Sequence, residues 1–181
     1  MISKCSVIIF SLFVSNVFTS FVTTGDGIIE GTTFETRRGK QIDAFLKIPF
    51  AAPPLAELRF QSPQKVVPWK GILNCQSFGP KCMQQGKLVK KSVSEDCLHL
   101  NVFTRNLNAS NLQPVILFLH DGAWKIGSGV NMKPSYILDR DIVVVTMNYR
   151  LGAFGFLSVG TEAAIGNMGL KDQIMAMKWI Q

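Results

Sequence analysis

Two unbroken apolar runs, Val115–Leu119 and Ile142–Val145, separated by a glycine-rich segment, Gly122–Gly129, constrain this chain more than any other feature. Strands without polar alternation are the kind that a parallel sheet covers on both faces. A shorter run, Leu98–Phe103, precedes them. After them, Met168–Gln181 places Leu170, Ile174 and Met177 on one predicted helical face, with Ile180 close by and with Gly169 and Asp172 near the start. Strand, loop, strand, helix is the order of an α/β sheet, and the element expected after such a helix is another parallel strand. The helical pattern runs to Gln181 without a glycine, asparagine or proline to stop it. The chain therefore reads as the N-terminal part of a larger α/β domain.

Upstream the pattern is different. Gly27–Phe34 and Gln41–Leu46 alternate briefly and are broken by Gly31 and Gly39, which predicts a small hairpin. From Ile48 to Trp69 the prolines Pro49, Pro53, Pro54, Pro63 and Pro68 remove backbone donors and restrict their predecessors. Phe50, Leu55, Leu58 and Phe60 are too apolar for a disordered linker, so an extended but ordered coil is expected.

Lys4 followed by the apolar stretch Cys5–Phe18 has the form of a secretory signal, expected over residues 1–20. Ser11, Ser15 and Asn16 interrupt the stretch, which argues against a membrane anchor, and several small residues up to Gly25 offer cleavage points. The remaining residues, 21–181, form the expected structural unit of a secreted, extracellular protein. Its compartment would let disulfides persist. Once Cys5 leaves with the signal, Cys75, Cys82 and Cys97 remain: one pair and one cysteine that is either buried as a thiol or joined elsewhere. Asn108-Ala109-Ser110 is a glycosylation sequon in a polar stretch. The net charge of +7 is scattered, apart from Lys87, Lys90 and Lys91 in one loop, and a nucleic-acid surface needs its cations on one face. No nucleic-acid partner is inferred.

Five segments, in order, resemble the type-B carboxylesterase and cholinesterase family, its insect-type secreted members most of all. They are Ile48–Gln64 (IPFAAPPLAELRFQSPQ), Ser94–Arg105 (SEDCLHLNVFTR), Val115–Gly129 (VILFLHDGAWKIGSG), Asp141–Leu157 with its Asn148-Tyr149-Arg150-Leu151-Gly152, and Gly166–Gln181 (GNMGLKDQIMAMKWIQ). The resemblance implies the N-terminal part of an α/β-hydrolase fold that ends before the nucleophile elbow. It implies a Cys82–Cys97 disulfide, no cofactor, and two buried structural ion pairs, Arg59 with Glu95 and Arg150 with Asp172. For the full-length protein it implies hydrolysis of lipophilic carboxylic esters through an acyl-serine.

That chemistry needs a serine at a strand-to-helix turn, a histidine, an acid and backbone donors for the oxyanion. No G-x-S-x-G occurs in these 181 residues, and Ser128 lacks a strand immediately before it. Of the two histidines, His99 reads as a strand residue, while His120 matches the family's loop-supporting histidine rather than its general base. Two histidines without clustered carboxylates give no metal site. What remains is the pair of oxyanion donors, the N–H groups implied at Gly122 and Ala123. The chain alone is thus expected to be inactive. Asp121 departs from the family pattern by standing at its first loop glycine. It either turns away and accepts local backbone hydrogen bonds or opposes the oxyanion, and the second possibility leaves room for a non-catalytic adhesion or binding protein of the same fold.

Overall fold

The computed structural model describes residues 19–85, 93–108, 110, 112–132 and 134–181. Most of the expected signal, residues 1–18, and the lysines at 87, 90 and 91 lie outside the described residues. In chain order the strands are β1 (Phe21–Thr23), β2 (Ile28–Glu30), β3 (Thr32–Glu35), β4 (Gln41–Pro49), β5 (Ile72–Asn74), β6 (Lys81–Cys82), β7 (Val93–Ser94), β8 (His99–Thr104), β9 (Val115–Leu119) and β10 (Val143–Met147), followed by helices α1 (Gly152–Phe156) and α2 (Met168–Ile180).

The central sheet has the order β3-β4-β8-β10-β9. Its first part is antiparallel, and only β9 and β10 run parallel. The β9–β10 step is the one whose return passes over the glycine-rich segment, so the loop emerges at the C-terminal end of β9. Side chains of the sheet alternate between two cores. Leu98, Leu100, Val145 and Met147 face one, with Tyr149, Leu151 and Ala176; Phe103, Val144 and Leu138 face the other.

Strand β4 serves both cores by changing phase. Ile42, Ala44 and Leu46 enter the second core, whereas Ile48 and Phe50 enter the first. The register against β8 shifts between Phe45 and Ile48, where Lys47 adopts a left-handed backbone with φ 58°. Such a bulge places one extra residue opposite its partner strand and leaves a donor to satisfy. The Lys47 N–H donates to the Asn101 side-chain oxygen at 3.0 Å, and Asn101 in turn donates to Thr146 Oγ1 at 2.8 Å.

Two sequence expectations change here. The predicted small hairpin is divided at Gly31: β2 joins a separate sheet, β1-β2-β5, while β3 pairs with β4 in the central one. A Cβ at Gly31 would lie 2.7 Å from the Phe45 ring and 2.8 Å from the Ala44 carbonyl, so the chain can cross this closely only without a side chain. Among the described residues β9 is not covered on both faces: it lies at one edge of the central sheet, with Val115, Ile116 and Leu119 exposed. The residues grouped on one face of α2, Leu170, Ile174 and Met177, are exposed among the described residues, while Met168, Gly169, Asp172 and Ala176 face the sheet. A buried aspartate takes an inward position because Arg150 waits there for it.

Candidate functional site

The glycine loop starts at His120, directly after β9. The His120 ring stacks on Tyr149 with centroids 4.3 Å apart, its Nδ1 lies 2.9 Å from the Asp121 carbonyl, and its own carbonyl accepts the Tyr149 hydroxyl at 2.9 Å. Burial holds the His120 imidazolium well below its ordinary pKa, against the opposing carbonyl and charge of Asp121. A neutral ring wedged between strand ends is suited to bracing the loop.

Three successive residues then take positive φ: Gly122 at 115°, Ala123 at 52° and Trp124 at 58°. L-residues reach this region at a cost of about 1 kcal/mol or more each, so the conformation persists only where the surroundings enforce it. Here the Gly122 carbonyl accepts from the N–H groups of Lys125 (3.0 Å) and Ile126 (3.2 Å), and the Trp124 carbonyl accepts from Gly152 N–H at 2.7 Å. A Cβ on Gly122 would fall 2.0 Å from the Ile126 carbonyl oxygen. The turn closes only around a glycine.

The N–H groups of Gly122 and Ala123 donate to no other group among the described residues. Both residues line an open cleft of about 930 Å³, with Met83, Gln84, Lys125 and Phe154 around it. On the other side they also border a cleft of about 350 Å³ that includes Asp121, Tyr149 and Leu170. Successive unpaired N–H groups on a turned backbone form a concavity for negative charge.

Asp121 is exposed, and its carboxylate accepts no hydrogen bond among the described residues. The local backbone bonds that would turn it away from the loop are not formed. Burial raises the pKa of the Tyr149 hydroxyl, and the Asp121 charge adds to it. Trp124 packs edge-on against Phe156, centroids 6.3 Å apart, while staying largely open to solvent.

Around this loop lies a buried polar frame. Asn148, at the end of β10, accepts the Gly129 N–H at 2.9 Å and donates to the carbonyls of Pro80 (2.9 Å) and Cys97 (3.2 Å). Cys82 and Cys97 are joined by a disulfide. Cys75 is a buried free thiol, and burial raises its pKa to about 11. Gln84, just beyond Cys82, contacts Gly127 through both ends of its carboxamide. Neither Gln84 nor Asn148 stands out in the sequence as a site residue. A polar side chain two residues past a disulfide cysteine was the only available signal.

The two expected ion pairs both form, with different burial. Arg150 donates to both carboxylate oxygens of Asp172 and adds its backbone N–H at 3.0 Å. Burial pushes the Asp172 carboxyl up, and these donors pull it back. Arg59 and Glu95 also meet through two contacts, but their side chains are 44 % and 21 % exposed, so the burial read for this pair does not hold. Ser128 is buried in the turn after Gly127, its Oγ accepting the Val130 N–H at 3.3 Å. Asn108 is exposed, and its side chain accepts the Ser110 N–H at 3.0 Å.

The model of the carboxylesterase family matches residues 19–181. The chain belongs to that family. Relatives include a juvenile hormone esterase from Tribolium castaneum, 42 % identical over 164 residues, covering 88 % of this chain and 28 % of the relative. Esterase E4 from Myzus persicae is 43 % identical over 167 residues, covering 88 % and 30 %. Among solved structures, the juvenile hormone esterase from Manduca sexta with OTFP covalently attached superposes with a TM-score of 0.84 at 34 % identity, over 90 % of this chain and 32 % of that one. The chain thus spans less than a third of the length of the curated relatives it matches. Its sheet and helices are the N-terminal part of the α/β-hydrolase fold shared by this carboxylesterase family.

Proposed function

We propose that the full-length protein is a secreted serine carboxylesterase and that residues 21–181 contribute its oxyanion donors and not its triad. The observation that carries this reading is the pair of unpaired N–H groups at Gly122 and Ala123, held on a left-handed turn beside an open cleft. In the reaction a serine oxygen bonds to the ester carbonyl carbon as its proton passes to a base. The carbonyl π pair moves onto oxygen, where the two N–H groups receive it. The tetrahedral species collapses with loss of the alcohol, which takes the proton from the base, and water repeats the sequence on the acyl-serine. Each backbone donor of this kind is worth about 3–4 kcal/mol to the transition state. The apolar lining by Met83 and Phe154 suits lipophilic esters.

Residues 1–20 act as a signal in this proposal, and Asn108 carries a glycan. Lacking a nucleophile motif, the 181 residues by themselves hydrolyse no ester. The absence of a long apolar helix among the described residues is compatible with the proposal.

Asp121 favours one second reading, a binding or adhesion protein of the same fold without turnover, because a carboxylate beside the donors opposes an oxyanion. A fluorophosphonate probe separates the two. The esterase reading expects stoichiometric covalent labelling of one serine in the full-length protein, together with hydrolysis of p-nitrophenyl butyrate. A folded protein that does neither is the binding form.

A further inference from the structure

Gln84 ties the disulfide-bearing segment to the far end of the glycine loop. Its carboxamide nitrogen donates to the Gly127 carbonyl at 2.8 Å and to the Cys82 carbonyl at 3.0 Å, while its oxygen accepts the Gly127 N–H at 3.0 Å. A primary amide carries donor and acceptor on one plane, so it can occupy both main-chain groups of a residue as a neighbouring strand would. Gly127 cannot be braced by a side chain of its own. Its φ is 124°, and a Cβ there would lie 2.2 Å from His120 Nδ1 and 2.5 Å from the Asp121 carbonyl oxygen.

The remaining restraints on the loop come from the sheet side. Tyr149 braces His120, and Gly152 holds the Trp124 carbonyl. Gln84 supplies the restraint from the opposite wall, where it lines the same cleft as Gly122 and Ala123. A run of left-handed residues relaxes when one of its anchors is removed.

We propose that Gln84 is a positioning residue for the oxyanion site, clamping Gly127 so that the Gly122 and Ala123 N–H groups keep one orientation. The Cys82–Cys97 loop thereby becomes part of the catalytic scaffold. This rests on the ester-hydrolase reading above.

The test uses the full-length protein with p-nitrophenyl butyrate as substrate and a trifluoromethyl ketone as a probe whose serine adduct bears an oxyanion. Gln84→Met removes both contacts at nearly constant length. It lowers kcat about tenfold with KM within about twofold of wild type, and weakens the ketone by a similar factor. Gln84→Glu keeps the acceptor but loses the donor when ionised. Its kcat relative to wild type rises as pH falls from about 8 to about 5, because a protonated carboxyl donates to the Gly127 carbonyl again. A merely structural role would leave that ratio flat. Wild-type kcat and ketone affinity in Gln84→Met overturn the proposal, as does a loss confined to KM. If Gln84→Met does not fold, a flat pH ratio for Gln84→Glu overturns it alone. Absence of ester turnover and of serine labelling in the wild type removes the ester-hydrolase reading and this proposal with it, whereas an active wild type with an indifferent Gln84 removes only the latter.

Discussion

Arg150 and Asp172 meet through two parallel hydrogen bonds, Nε to Oδ2 at 2.9 Å and Nη2 to Oδ1 at 2.7 Å, with side chains only 4 % and 0 % exposed. The arginine also donates to the Gln61 carbonyl at 2.8 Å, so three chain segments converge on one guanidinium. Removing a single partner strands the other charge in the core. Asp172→Ala is therefore expected to destabilise the full-length protein by about 3–5 kcal/mol in chemical denaturation. Arg59→Ala, at a pair that water reaches, is expected to leave the denaturation midpoint nearly unchanged. Equal effects at the two sites would contradict the difference in burial.

The thiol of Cys75 is shut away from both solvent and the neighbouring disulfide chemistry. With its pKa raised to about 11 by burial, against a weaker opposing effect of Lys47, little thiolate exists at neutral pH. Iodoacetamide is expected to modify the native protein at this residue at least about a hundredfold more slowly than the unfolded protein. Peptide mapping without reduction should show Cys82 joined to Cys97 and Cys75 unpaired; a disulfide at Cys75 would overturn this assignment.

His99 opens β8 inside the protein, with Nε2 3.7 Å from Asp96 and Nδ1 unpartnered among the described residues. Burial lowers its pKa most, Asp96 works against that, and Lys47 adds to it. His120 is lowered as well, by burial. For groups whose folded pKa lies below the unfolded value, the unfolded chain binds protons first. Their stabilisation is complete above the unfolded pKa near about 6.5 and is lost as pH falls through the folded values. Stability should thus decline on acidification below about pH 7, and His99→Phe should shallow that decline. An unchanged slope in denaturant melts across this range would refute the role of His99.

Asp121 stands exposed beside the loop donors without a hydrogen bond to hold it away. At roughly 6 Å and with water-like screening its carboxylate would cost an oxyanion about 0.7 kcal/mol. Asp121→Asn is expected to raise kcat of the full-length esterase about threefold with little change in KM. No change in kcat would place the carboxylate outside the field of the reaction.

Local patterns made much of this structure legible before any coordinates. The run Val115–Leu119 is a strand over those same residues, because β-branched and apolar side chains bounded by Pro114 and the glycine loop leave little else to form. The helix from Met168 was equally readable in extent, but not in orientation. Periodicity counts apolar residues, so it groups Leu170, Ile174 and Met177 on one face but does not show that the sheet-facing position belongs to Asp172, a charged residue with a distant charged partner. The oxyanion loop could be located by resemblance, yet the resembling segment that contains Asn148 and Tyr149 gave them no role at the loop, and Gln84 lies outside all five segments. Their contacts to the loop join residues separated by 19 or more positions, and such contacts leave no mark on neighbouring sequence.

The left-handed Lys47 works as a phase correction in a strand long enough to need one. Its single inserted step lets nine residues of β4 read one hydrophobic parity before the bulge and the other after it, which is why Ile42 to Phe50 looks almost uniformly apolar. Pairing these residues straight through Lys47, without the bulge, would give a perfect ladder and, in doing so, turn Ile48 and Phe50 to the wrong side of the sheet. The most regular version of this strand is the one that could not fold.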